Sequence, residues 1–277
     1  MKNITESMMR IVFLAAACVS IIAVLLICIF LFANGVPAML EIGVGDFLFG
    51  SVWRPLNDIY GIFPMIVGSI YVTAGAVLLG VPIGILCAVF LVHFCPARLY
   101  RVLKPMVELL AGIPSIVYGL FGMLFFVTAL KLKLSLISGA LTLSIMVLPT
   151  ILRTTEEALL AVPESYREGS FGLGAGRLRT VWKIVLPSAL PGIFAGVILA
   201  MGRIVGESAA LIYTAGTVAK VPDSLFSSTR TLAVHMYALS SEGLYIDQTY
   251  ATAVVLLLIV VGINALSSRL AKSITKG

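Results

Sequence analysis

The chain has 277 residues, of which 60% are hydrophobic and only 12% are charged. Soluble domains carry about 25% charged residues, so the composition excludes an ordinary soluble enzyme and places the chain in a membrane. The formal net charge of +6 does not mark a nucleic-acid surface, because the basic residues are spread between apolar runs and form no single patch; membrane lipid is the expected surrounding and no nucleic-acid partner is expected.

A spanning helix needs about 20 apolar residues. In chain order six stretches meet this need: Ile11–Ala33, Ile62–Val92, Leu109–Leu130, Leu134–Leu152, Ser188–Ala219 and Thr249–Ser268. The expected fold class is therefore an all-α membrane protein with six transmembrane helices. The first run follows Lys2 and Arg10, as the apolar core of a signal peptide would. It exceeds the usual ~7–15 residues and no A-x-A site follows, so it is expected as a retained anchor. The second run is longer than one span needs and is expected to tilt or kink near Pro82. In the third, "GIPS" puts Pro114 and Ser115 inside the run, which predicts a kink there. Cys18, Cys28, Cys87 and Cys95 match neither a metal site nor a disulfide framework and read as small buried hydrophobes.

Lys and Arg concentrate in the cytoplasmic loops of membrane proteins. With the N-terminus inside, thirteen of the 19 basic residues fall on the cytoplasmic side, five outside, and Arg203 within a span. Both termini are thus expected in the cytoplasm of a bacterial plasma membrane. Asn34–Gly61 and Lys220–Gln248 become long external connections. In the latter, Leu225, Leu232, Met236 and Leu239 recur at roughly helical spacing, which predicts a surface or re-entrant helix across the outer face. Three parts are expected: an anchor helix with its external loop (1–61), a transmembrane domain (62–271) and a cytoplasmic tail (272–277).

The long charged connection Arg153–Pro187 is the most informative loop. Its apolar positions predict two short amphipathic helices, and glycines at 169, 172, 174 and 176 permit a sharp bend between them. A bent helix pair projecting into the cytoplasm suits docking into a partner's groove.

"EGSFGLGAGRLRTVWKIVLP" resembles the EAA loop of bacterial ABC importer permeases, whose motif reads E-A-A, three residues, G, nine residues, I-x-L-P. Here the motif falls on Glu168, Gly169, Ser170, Gly174, Ile184, Leu186 and Pro187 with every spacing kept, the two alanines being replaced by Gly169 and Ser170. The resemblance implies a type I ABC importer permease fold whose loop couples to a cytoplasmic ATPase dimer. Within that family, "ELLAGIPSIVYGLFG", "LPSALPGIFAGVILAMGRIVGESAALIYTAG" and neighbouring stretches are similar to the permeases of the high-affinity phosphate importer, which uses two related chains, PstC and PstA. "WRPLNDIYGIFPMIVGSIYVT" (Trp53–Thr73) is similar to PstC, whereas the longer "LTLSIMVLPTILRTTEEALLAVP" and "TRTLAVHMYALSSEG" look more like PstA. The resemblance implies a second, non-identical permease and an external phosphate-binding protein as partners. It also implies that ATP and Mg belong to the ATPase, with no cofactor on this chain.

The chain has no G-x-x-x-x-G-K-[ST] phosphate loop and is not expected to hydrolyse ATP. His93 and His235 lie far apart and form no H-E-x-x-H, which speaks against an intramembrane metalloprotease. Within the span Ser188–Ala219, Arg203 and Glu207 stand four residues apart, which on one helix places them on one face as an ion pair. A charge at mid-bilayer costs about 2.5–3.5 kcal/mol on insertion scales, so the pair is expected to line a wet passage. A guanidinium fork matches phosphate oxygens, with Glu207 holding Arg203 when the passage is empty. Read structurally, the same pair would fix helix register. Sulfate, molybdate and phosphonate remain alternative cargoes at this point.

Overall fold

The computed structural model describes residues 2–275, with side chains described for 6–269. With no water in the bilayer core, a spanning segment must satisfy its backbone polar groups internally, and the apolar runs accordingly form helices. Five helical stretches are long and apolar enough to cross a membrane: Glu6–Ile42, Phe63–Phe94, Leu136–Leu160, Arg177–Val205 and Ile246–Arg269. A bent helix pair brings the number to six, in an all-α membrane fold.

The first span lies in α1 (Lys2–Ile42). Its apolar window is uncovered by the rest of the chain, as suits a helix facing lipid, and only its C-terminal third touches the bundle. There Phe30 meets Tyr250 edge-on at 5.5 Å, and Ala38 and Met39 join a core cluster with Phe47, Met65 and Val254. The expected external loop 34–61 is more structured than its sequence implied. Helix α1 consumes its first residues, α2 (Val44–Phe49) follows, and the two-residue strands β1 (Trp53–Arg54) and β2 (Ile59–Tyr60) pair antiparallel.

Helix α3 (Phe63–Val89) runs unbroken through Pro82. Its departure from α geometry falls instead in the π-helical turn Phe90–Phe94. The expected third span Leu109–Leu130 is broken where a kink was expected, at Pro114, and far more sharply than a kink. Residues on either side of Gly112–Pro114 form α4 (Ala97–Ala111) and α5 (Ser115–Gly122, continued by the π-helical Met123–Ala129), and the two directions differ by 99°. The cause is local. Pro114 has no N–H and disfavours helical geometry in Ile113, and it sits extended at φ −60°, ψ 143°. The Leu110 carbonyl, which a residue-114 N–H would serve in a continuous helix, instead accepts the Tyr118 hydroxyl at 2.7 Å.

At the centre stands α6 (Leu136–Leu160), the most buried helix of the bundle. Lipid supplies no hydrophobic drive between helices, so small residues that allow close approach hold them together. A Cβ on Gly75 would meet Ala140, one on Gly80 would meet Val147 and one on Gly84 would meet Ile151, so α3 lies almost backbone to backbone along α6. A close approach to backbone falls at Gly119 of α5, where a Cβ would stand 2.8 Å from the Ala210 Cα. Backbone cannot yield as a side chain can. Gly119→Val is expected to lower stability by about 1–3 kcal/mol, read as a drop in the thermal midpoint of the purified chain.

The coupling connection and the remaining helices complete the chain: α7 (Glu164–Gly172), α8 (Arg177–Thr180, extended by the π-helical Val181–Val185), α9 (Leu186–Val205), α10 (Ala209–Ile212), α11 (Leu232–Glu242) and α12 (Ile246–Thr275). The tail expected at 272–277 is helical as far as Thr275, and 276–277 lie outside the described residues. None of the four cysteines is buried, against the sequence reading, because the apolar runs that carry them turn those positions away from the core.

The connection 220–248 does contain a helix, α11. Thr231 caps it by accepting from the Val234 N–H, and Gly243 ends it in the left-handed region. Leu232 and Leu239 are buried, whereas Leu225 lies ahead of the helix and is exposed. The segment before α11 satisfies first-turn donors of α6, since Leu136 and Ile137 donate to the carbonyls of Ser227 and Leu225, both at 3.0 Å. Such donors have no partner within their own helix. Beneath this cover His235 is fully buried, edge-on to Trp53 at 4.2 Å and bonded through Nδ1 to Arg230 at 3.2 Å.

Burial, aided by the Arg230 charge, pushes the His235 pKa down to about 3, against about 6.5 for an unfolded histidine. The unfolded chain therefore binds more protons as pH falls below 6.5, and stability is lost between pH 6.5 and about 3. At pH 5 the expected loss is about 2 kcal/mol. Thermal melts of wild type and His235→Phe at pH 7 and pH 5 check this, the variant lacking the His235 share of the decline.

Candidate functional site

The connection between α6 and α9 folds as a helical hairpin that stands off the bundle. Pro163 is extended at φ −55°, ψ 135° and caps α7, and Glu164 in the first turn complements the helix dipole and pairs with Arg167. The turn between α7 and α8 depends on Gly174, whose φ of +80° an L side chain rarely adopts. The Gly174 N–H donates to the Phe171 carbonyl at 2.9 Å and the Ala175 N–H to the Ser170 carbonyl at 3.1 Å.

The motif residues divide by role. Ser170, at a position where the motif has alanine, is buried and its hydroxyl bonds the Thr180 hydroxyl at 2.8 Å. Thr180 in turn donates to the Gly176 carbonyl, so Ser170 is the donor, and this bond fastens α7 to α8. Glu168 and Gly169 are exposed, and nothing lies within 4 Å of a Cβ built on Gly169, Gly172, Gly174 or Gly176. Ile184 and Leu186 are half-buried where the hairpin rejoins the bundle. Pro187 opens α9, where its missing N–H costs little. Tyr166, Phe171, Leu173, Leu178 and Trp182 are exposed, an apolar surface that fits a docking groove.

The base of the hairpin grips the ends of two spans. Val181 and Val185 share a core cluster with Leu91, Leu152 and Leu159, and Arg177 lies over the Phe94 ring at 5.4 Å. Beside this base, α4 is fastened to α6. Glu156, 7% exposed, accepts from the Tyr100 hydroxyl at 2.5 Å and from Lys104 Nζ at 3.0 Å. A cavity of about 250 Å³ opens alongside. Sequence reasoning missed this triad; the one-turn spacing of Tyr100 and Lys104 on an amphipathic stretch was its only signal.

The structure corrects the expected Arg203–Glu207 pair. Helix α9 ends at Val205 with Gly206 as its C-cap, so the two residues do not continue one helical face. Arg203 is exposed in the last turn of α9. Glu207 is 9% exposed, and its carboxylate accepts from the Ala210 N–H at 3.0 Å, capping the short α10. Among the described residues no ion pair joins them. The physical reason is the break at "VGES": a glycine ends one helix, and the carboxylate is spent on the orphan donors of the next. Arg203 thus carries a charge on an exposed face of a spanning helix, with no ion pair among the described residues.

Comparison with known proteins agrees with this architecture. Residues 80–277 match the family described as "Binding-protein-dependent transport system inner membrane component". The probable ABC transporter permease protein YqgH of Bacillus subtilis is 36% identical over 83% of this chain and 78% of its own. The phosphate transport system permease protein PstC of Mesorhizobium japonicum is 32% identical over 75% of this chain and 71% of its own. PstA of Mycobacterium leprae is also 32% identical, over 74% and 68% respectively. Among solved structures, a chain of the MetNI methionine ABC transporter in inward-facing conformations superimposes with a TM-score of 0.66, at 22% identity over 80% of this chain and 99% of its own. The chain belongs to the binding-protein-dependent transport system inner membrane components. It is the non-catalytic permease subunit of an ABC importer and crosses the membrane several times.

Proposed function

We propose that this chain is one of two permease subunits of an ATP-driven importer for inorganic phosphate in a bacterial plasma membrane. The observation that carries the reading is its likeness, over about three quarters of the chain, to permeases named for phosphate transport. The exposed Arg203 guanidinium in a spanning helix, with no ion pair among the described residues, supports it as a fork of donors suited to an oxyanion. Likeness to PstC and PstA is equal in identity, and the sequence features at Leu141–Pro163 and in α11 favour PstA.

In this reading both termini and the α7–α8 hairpin lie in the cytoplasm. Helix α1 anchors the chain, and α11 with the β hairpin covers the outer face. An external binding protein delivers phosphate, Arg203 meets it in the passage completed by a second permease, and Glu207 sets the shape of the break that presents Arg203. ATP and Mg act on a separate ATPase dimer. Its closure is received at Glu168, Gly169 and Gly174 and passed to the bundle through Ile184, Leu186 and Pro187, with Ser170 keeping the hairpin in one piece.

The test is uptake of labelled phosphate by cells lacking their own importer and carrying the whole reconstituted system. Phosphate uptake that depends on this chain and is not displaced by sulfate, molybdate or phosphonate is the expected result. Absence of phosphate uptake with uptake of one of the others would overturn the cargo.

A further inference from the structure

The α4–α5 elbow has an unusual construction. No residue of α4 is fully buried, so packing holds this helix only through half-buried side chains such as Tyr100, Leu103 and Val107. Its specific fastening is polar. Tyr100, Lys104 and Glu156 are mutually bonded: Lys104 Nζ donates to the Tyr100 oxygen at 2.9 Å and to Glu156 at 3.0 Å, and the Tyr100 hydroxyl donates to the same carboxylate oxygen. Burying Glu156 costs desolvation that an apolar contact of equal size would avoid. What the polar arrangement adds is direction, because it holds α4 at one register along α6.

The two ends of this fastening lead to the two halves of the site. Glu156 lies one turn before the end of α6, and only Ala161–Pro163 separate α6 from α7, so a pull on the hairpin is applied at that turn. On the other side, the Tyr118 hydroxyl bonded to the Leu110 carbonyl braces α5 against α4 across the 99° bend. Helix α5 then seats Gly119 directly on Ala210, whose N–H is the one Glu207 holds. The cavity bounded by Lys104, Val107, Pro149 and Glu156 leaves space beside the fastening into which α4 can shift.

We propose that Tyr100, Lys104 and Glu156 are positioning residues that pin the α4–α5 elbow to α6, so that movement of the coupling hairpin carries α5 and the Arg203 region with it. The pin rests on the assignment as an ABC importer permease and not on the cargo.

The test uses the complete transporter, with its ATPases and second permease, in lipid vesicles. Spin labels are placed at Arg101 on α4 and Arg179 on α8 of the hairpin, both exposed, and their separation is measured without nucleotide and after trapping with ATP and vanadate. In wild type the separation stays the same in both states, because the two sites move together. In Glu156→Gln and Lys104→Met it changes on trapping, and phosphate uptake per ATP hydrolysed falls about tenfold. Lys104→Arg restores both readouts. Tyr100→Phe, which keeps the ring and assembles even where the charge variants do not, gives a smaller loss in the same direction. A label separation that responds to nucleotide identically in wild type and all variants overturns the pin, as does uptake per ATP within twofold of wild type. If wild type itself imports no phosphate, the cargo reading fails and the label separations decide the pin alone.

Discussion

Arg203→Gln is expected to reduce phosphate uptake about 10- to 150-fold, the range set by losing a hydrogen bond to a charged group worth about 1.5–3 kcal/mol. Assembly and ATP hydrolysis should persist, because Arg203 is exposed and makes no ion pair among the described residues. Arg203→Lys should fall between the two, since a lysine keeps the charge but loses the planar fork. Glu207→Gln keeps an oxygen that can accept from the Ala210 N–H, so it should leave the break between α9 and α10 intact. Uptake by each variant is compared at equal membrane levels. Normal import by Arg203→Gln would make the residue structural and move the search for the passage to other elements.

The second large effect is expected at the hairpin. Glu168→Arg should cut recovery of the ATPase with the tagged permease at least about tenfold. Reversing a charge at an interface juxtaposes like charges, at a cost of several kcal/mol. Glu168 is exposed and makes no ion pair among the described residues, so the folded level of the permease should not change. Co-purification from membranes measures this, with the thermal midpoint of the permease as control. Unchanged co-purification would place the docking surface elsewhere on the hairpin, with the exposed Leu173 and Trp182 next in line.

The spans and the hairpin were legible because each rests on a local rule. Apolar length makes a spanning helix, and four glycines between two amphipathic stretches make a bend. What was not legible depended on partners distant in sequence. In Leu109–Leu130 Pro114 marks the break, but its 99° size is braced by the Tyr118 hydroxyl on the Leu110 carbonyl, eight residues away. Glu156 looks like part of a charged loop until α4 folds beside it. Arg203 and Glu207 have the spacing of a helical pair, but spacing cannot show that Gly206 ends the helix between them. Ser170 reads as a small residue tolerated in place of alanine, whereas its hydroxyl closes the hairpin on Thr180, ten residues away.

The elbow at Pro114 also sets a length. With α4 folded aside, the crossing beyond it is Ser115–Ala129, about 22 Å of helix at 1.5 Å per residue, against a hydrocarbon layer of about 30 Å. The bilayer beside α5 must thin, or polar side chains and water must reach inward to meet the elbow. Either way, the insulating barrier at this face is thinner than the surrounding membrane, and a solute passing along it has a shorter apolar gap to cross.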